Sequence, residues 1–150
     1  MSLFIRFEGL SEAQGTLAGL PDKLEHKTIE RLSQVAYDAV QEGARRHTKP
    51  TGTGALWQSV FNRPIPTGRM VGHDTQRAPH AVFVLLGTRP HVIRPKTKKA
   101  LRWVGGNGKF AFAREVNHPG YIGDNYMLTA ATLAVQEFAA IIDKSLKEST

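Results

Sequence analysis

Residues 49–60 read KPTGTGALWQSV, and the role of this stretch decides how the chain folds. It follows a basic run, Arg45, Arg46 and His47. It is either a loop that cradles phosphate or punctuation between two structural elements. A P-loop sits between a strand and a helix and has Lys-Ser/Thr after its last glycine. Here a helical pattern comes before, and Ala55-Leu56 follows Gly54. Pro50 stops a helix, and Gly52 and Gly54 permit turns that other residues resist. The stretch therefore reads as a hinge where a long helix hands over to a sheet. Thr53 is placed to cap the element after it, and Leu56 and Trp57 offer apolar anchors.

Upstream of the hinge, LFIRFEG at 3–9 alternates as a strand does. SEAQGTLAGL at 11–20 reads as a short helix with Ser11 as N-cap. Pro21 suits the first turn of a longer helix. Leu24, Ile29, Leu32, Val35, Ala36, Ala39, Val40 and Ala44 then recur at helical spacing, which predicts an amphipathic helix over 21–47.

Downstream, 54–64 offers a turn of helix or an immediate strand. GRMVGHD at 68–74 is its antiparallel partner, with Pro64, Pro66 and Gly68 making the turn. HAVFVLLGT at 80–88 is a continuous apolar run, expected to be buried as either strand or helix. Residues 91–96, 99–104 and 109–116 read as short strands, and GGNG at 105–108 joins the last two as a hairpin. HPGY at 118–121 is a turn. Asp124 or Asn125 caps a final helix whose apolar face is Met127, Leu128, Ala131, Leu133, Ala134, Phe138, Ile141, Ile142 and Leu146. Hairpin-length connections favour antiparallel pairing. The expected fold class is α+β, a single domain over 1–150: an antiparallel sheet of short strands against a long N-terminal helix and a C-terminal helix.

The 150 residues include no cysteine, so disulfides and thiolate metal sites are excluded. The start of the chain does not read as a signal peptide, and no apolar run approaches membrane-spanning length, so a soluble protein made in the cytoplasm is expected. The net charge of +7 favours a polyanionic partner. The cations form two groups. Arg45, Arg46 and Lys49 lie with His47; Arg89, Arg94, Lys96, Lys98, Lys99 and Arg102 lie near Trp103. Either group can meet nucleic acid, an acidic protein surface or plain solvent.

No catalytic signature is present. The histidines, His26, His47, His73, His80, His91 and His118, lack tight metal-ligand spacing. No carboxylate lies between Asp74 and Glu115, and no serine stands in a nucleophile elbow. GGNGK at 105–109 is followed by Phe110, so it is not a nucleotide loop either. No catalytic residue, cofactor-binding residue or metal ligand is assigned, and no cofactor is expected.

The order of these segments resembles the tail-completion, or head–tail joining, family of long-tailed double-stranded-DNA bacteriophages and prophages. FEGLSEAQGTLAGLP matches the family's opening. GARRHTKPTGTGALWQSV matches its junction, with Thr53, Gly54, Ala55, Leu56 and Ser59 in the motif positions. His80 to Thr88 resembles the middle element. In HVIRPKTKKALRWVGGNGKFAFAREVNHPGY, the residues His91, Ile93, Pro95, Leu101, His118, Pro119 and Gly120 stand in the usual order. The final helix starts near NYMLTA. One departure stands out: the family has Tyr-Ala and an acidic residue before Gly-Thr, where this chain has His80-Ala81 and Leu86.

The resemblance implies a non-enzymatic virion protein of the neck or tail. It would form a ring, a hexamer, between the head connector or adaptor proteins and the tail terminator or tail tube, with genomic DNA passing through. The loops around 64–80 and 88–99 are then expected to dock on adjacent rings. Two other readings remain: a basic nucleic-acid-binding module, and a small hydrolase whose cleft gathers His80, His91 and His118.

Overall fold

The computed structural model describes residues 3–8, 22–48 and 52–148. The helix expected over 11–20, Ser11, Pro21, Lys49 and Pro50 lie outside the described residues. The fold is α+β. Strand β1 (Leu3–Glu8) is followed by helix α1 (Asp22–Arg46), a single helical turn α2 (Ala55–Gln58), and strands β2 (Val60–Ile65) and β3 (Gly68–His73). Then come α3 (Ala81–Leu86), β4 (His91–Ile93), β5 (Leu101–Val104), β6 (Phe110–Ala113) and β7 (Val116–His118). Helices α4 (Tyr126–Gln136) and α5 (Phe138–Lys147) close the chain.

Helix α1 forms because its apolar and small residues return every three to four positions. Leu24, Thr28, Leu32, Ala36, Val40 and Ala44 are buried on one side, while Glu30, Gln34, Asp38 and Glu42, four apart, face water. Arg45 and Arg46 in the last turn suit the negative end of the helix dipole. The buried side packs on the sheet and on α4, where Ala130 and Ala134 are fully buried. Each fully buried Leu or Val side chain in this layer is worth ~1.5–3 kcal/mol.

The sheet is antiparallel, in the order β1-β3-β2. Leu3 and Val60 both pair with His73, and Glu8 and Ile65 both pair with Gly68. Being central, β3 buries Met70, Val71, Gly72 and His73 in succession. The β2–β3 turn is Pro66-Thr67. Pro64 is not part of it: it sits within β2 opposite Arg69. An edge strand tolerates a residue with no N–H to donate. Of the 17 residues at 64–80, eight are strand, so the loop portion is the turn at 66–67 and residues 74–80.

Two further expectations are corrected. The apolar run at 80–88 is a helix, and it is not wholly buried: Ala81 and Leu85 face the core, but Phe83 and Leu86 are 57% and 66% exposed. The final helix is two helices meeting at Glu137, and its apolar face is only half used. Met127, Ala134 and Ile141 are buried, whereas Leu128, Leu133 and Leu146 are exposed. Asn125 supplies the α4 cap, its Oδ1 accepting from Leu128 N at 3.2 Å. Helix α5 is tied to α1 by Arg31, which donates to Ser145 Oγ at 2.9 Å and pairs with Glu148, and by Lys27–Glu148 at 2.8 Å. Both cations hold the Glu148 carboxyl well below its usual range, at about 2.

Residues 91–118 make an antiparallel arm. At its base β4 pairs with β7, Ile93 opposite Val116. Further out β5 pairs with β6, Val104 opposite Phe110. The segment expected to be one strand over 109–116 is therefore two, β6 and β7, each with its own partner. The strands expected over 91–96 and 99–104 shorten to 91–93 and 101–104.

Candidate functional site

The arm is where the charge is. Residues 89–118 hold eight of the chain's 20 Lys and Arg and one of its 13 Asp and Glu. That is a net +7, the charge of the whole chain, so the remainder is neutral overall. The single carboxylate, Glu115, is held by Arg94, with Nη2 to Oε2 at 3.0 Å. The other arm cations form no ion pair among the described residues. Lys96, Lys98 and Arg102 line a cleft of about 590 Å³ with Pro95, Leu101 and Phe112. Lys99 lies exposed in the same loop. The Arg102 guanidinium stands 4.5 Å over the Phe110 ring.

Strand alternation gives the arm two faces. Arg102, Val104, Phe110 and Phe112 share one; Leu101, Trp103, Ala111 and Ala113 share the other. Phe110 and Phe112 are 57% and 66% exposed with Val104 exposed beside them, and Trp103 is exposed on the other face. The sequence-based reading singled out the cations and Trp103 but not the two phenylalanines. Their signal is the order Phe-Ala-Phe-Ala at 110–113, which places both rings on one side of a strand.

The other cationic group is separate in kind. Arg45 bonds Gln41 at 3.1 Å and stands 5.2 Å over the Trp57 ring. Arg46 is exposed, and Lys49 lies outside the described residues. Arg45 and Trp57 border a small cleft with Gly52 and Gly54. Gly54 has φ of 70°, so the hinge turns there through a left-handed residue, and Gln58 N and Ser59 N close the next turn onto Gly54 and Ala55 carbonyls. Thr53 Oγ1 accepts from Ala55 N at 3.4 Å.

A groove of about 890 Å³ runs between the α3 end and the arm base. It brings His80, His91 and His118 together as the cleft reading expected, and adds His47, Phe83, Arg89 and Tyr121. Hydrogen bonds assign the donor or acceptor nitrogen of His47, His91 and His118. His91 Nδ1 donates to Arg89 O at 2.8 Å, and His118 Nδ1 accepts from Gly120 N at 3.1 Å. His47 Nε2 donates to Asp124 Oδ2 at 2.8 Å. His91 and His118, directly opposite across the ladder, stack with centroids 5.0 Å apart. Among the described residues, no three His, Asp or Glu side chains converge as a metal site would require. The groove is an apolar recess rimmed by imidazoles.

Among the described residues, a hydrogen-bonded serine–histidine pair lies elsewhere. His73 Nδ1 lies 2.8 Å from Ser59 Oγ, and Nε2 lies 2.9 Å from the Tyr126 hydroxyl. Ser59 Oγ donates to Leu56 O at 2.6 Å, so it accepts from His73 Nδ1–H. Nε2 then accepts from Tyr126, whose phenol burial keeps protonated by pushing its pKa up. All three side chains are buried, and this chain of hydrogen bonds fastens β3 to α2 and α4.

Among the described residues, no helix is long and apolar enough to cross a membrane. Comparison of the chain with protein-family models, with curated proteins and with solved structures finds no match.

Proposed function

We propose that this chain is a structural virion protein of the phage head–tail interface. It closes as a ring that joins the head connector to the tail and leaves a passage for DNA. The reading rests first on the ordered motif set from FEGL to NYMLTA.

One structural observation carries it further. The neutral body presents a large apolar surface that is uncovered among the described residues. Helix α4 contains no charged residue, and its outer side exposes Leu128, Thr132, Leu133 and Val135. Ile122, just before it, is 93% exposed. A surface of this kind on a small domain marks an interface. The α4 ridge is convex, and the groove lined by Phe83, Val84, Ile93 and Tyr121 is concave. Two unlike patches on one subunit make a head-to-tail contact, which closes into a ring when the rotation closes.

The test is a paired substitution, Leu128→Asp with Val135→Asp, examined by sedimentation and negative-stain imaging. Rings from the parent chain and folded monomers from the variant are expected. Rings of unchanged size from the variant would remove this interface from the proposal. A second reading, a basic nucleic-acid-binding module, is favoured by the charge on the arm.

A further inference from the structure

We infer that the outer part of the arm, β5–β6 with the loop before it, is a binding platform for single-stranded nucleic acid. Phe110 and Phe112 each take a base, and Lys96, Lys98, Lys99, Arg102 and Lys109 take the phosphates.

Three observations support it. The first is charge. The chain's entire net +7 sits on residues 89–118, most of it on the outer arm, and the only carboxylate among them is already paired with Arg94. The natural complement is a polyanion, because each phosphate neutralised releases a counterion.

The second is the aromatic pair. Two residues along a strand at ~3.4 Å rise place Phe110 and Phe112 roughly 7 Å apart on one face. Ala111 between them points to the other side. Aromatic side chains spaced along an exposed strand are how sheet platforms stack successive unpaired bases. Neither ring is spent on the core.

The third is the cleft. Lys96, Lys98 and Arg102 line a depression that ends against Phe112, so cations and stacking surface form one continuous path. The Arg102 guanidinium covers one face of Phe110, 4.5 Å from its centroid, so a phosphate ligand sits against the ring whose other face takes the base.

A duplex would use the charge but leave the rings idle, since its bases are stacked on one another. A second copy of the chain would cover the rings but leave most of the cations without partners, because the body is neutral overall. Unpaired nucleic acid uses both.

The inference does not rest on the ring reading. A monomer that binds single strands upholds it and counts only against the ring.

The test is fluorescence anisotropy with the full chain, a labelled oligothymidylate of about 20 nucleotides and a duplex of equal length, between about 50 and 200 mM salt. Tighter binding to the single strand is expected, weakening steeply with salt. Phe110→Leu with Phe112→Leu keeps apolar area but removes the π faces. It should weaken single-strand binding about 10-fold or more and leave the salt dependence unchanged. Lys98→Glu with Lys99→Glu should flatten the salt dependence. Both pairs are exposed, so an unchanged melting temperature certifies the fold.

Equal affinity for the duplex, no loss in the leucine pair, or no binding at low salt would overturn the inference. If DNA binding is absent and the leucine pair instead alters the protein's mass in solution, the face belongs to a protein contact.

Discussion

The Tyr126 hydroxyl lies 2.9 Å from His73 Nε2, and neither side chain reaches solvent. This pair joins the centre of the sheet to the start of α4. It also ties stability to pH. Burial, aided by the nearby His80 charge and opposed by a Leu56 carbonyl, holds His73 down at about 4 instead of 6.5. The unfolded chain therefore binds the proton more readily. The contribution is complete above pH 6.5 and is lost as the pH falls from there through about 4, at roughly 1.4 kcal/mol per unit. Urea melts at a series of pH values should show this decline in the parent. In His73→Gln the decline should be shallower on a lower plateau. Tyr126→Phe leaves Nε2 buried without its donor and should cost ~1–3 kcal/mol. Parallel pH profiles for the parent and His73→Gln would refute the assignment.

Gly43 tests the α1–α4 contact. A Cβ built there would stand 2.5 Å from Tyr126 Cγ. Alanine would gain up to ~1 kcal/mol in helix propensity, but overpacking against a buried ring costs ~1–3 kcal/mol. The ring belongs to the hydrogen-bonded pair and cannot move freely, so the loss wins. Gly43→Ala should lower the melting temperature by several degrees; a rise would show that the helices can part.

Gly54 tests the hinge. Its φ of 70° suits glycine, and a Cβ there would stand 2.7 Å from Trp57 Nε1. Gly54→Val should destabilise by ~1–3 kcal/mol in denaturant melts. An unchanged midpoint would count against this turn.

The arm should be separable from the body. Ile93 and Val116 are the last pair of the base ladder, so residues 94–115 can be replaced by Asn-Gly, a favoured two-residue hairpin turn. The shortened chain should melt cooperatively within a few degrees of the parent, and its net charge falls from +7 to +1 because seven cations and one carboxylate leave. Failure to fold would show that the outer arm supports the core.

The sequence was most informative where one pattern dominates. The spacing from Leu24 to Ala44 locates α1 to within a residue at its C-terminal end, because one long stripe meets one packed layer. The hinge at Gly54 was legible for the same reason: few residues allow that turn. The run at 80–88 was not, since an unbroken apolar stretch carries no period, and in α3 two of the largest side chains turn outward. The break at Glu137 was invisible, because α4 and α5 share one continuous helical pattern and only packing separates them. The histidine groove draws on residues from 47 to 121, and no local spacing announces such an assembly. The cationic arm was visible as composition. Its aromatic face required the register that sets Phe110 opposite Val104.

The central claim, ring closure through the α4 surface, is tested most directly by sedimentation velocity over a wide concentration range, with negative-stain images of the same sample. The account predicts a discrete assembly of roughly six times the 16.5 kDa chain, with a central hole, that Leu128→Asp with Val135→Asp abolishes. A monomer at every concentration, or an open-ended series of sizes without a closed particle, would contradict it.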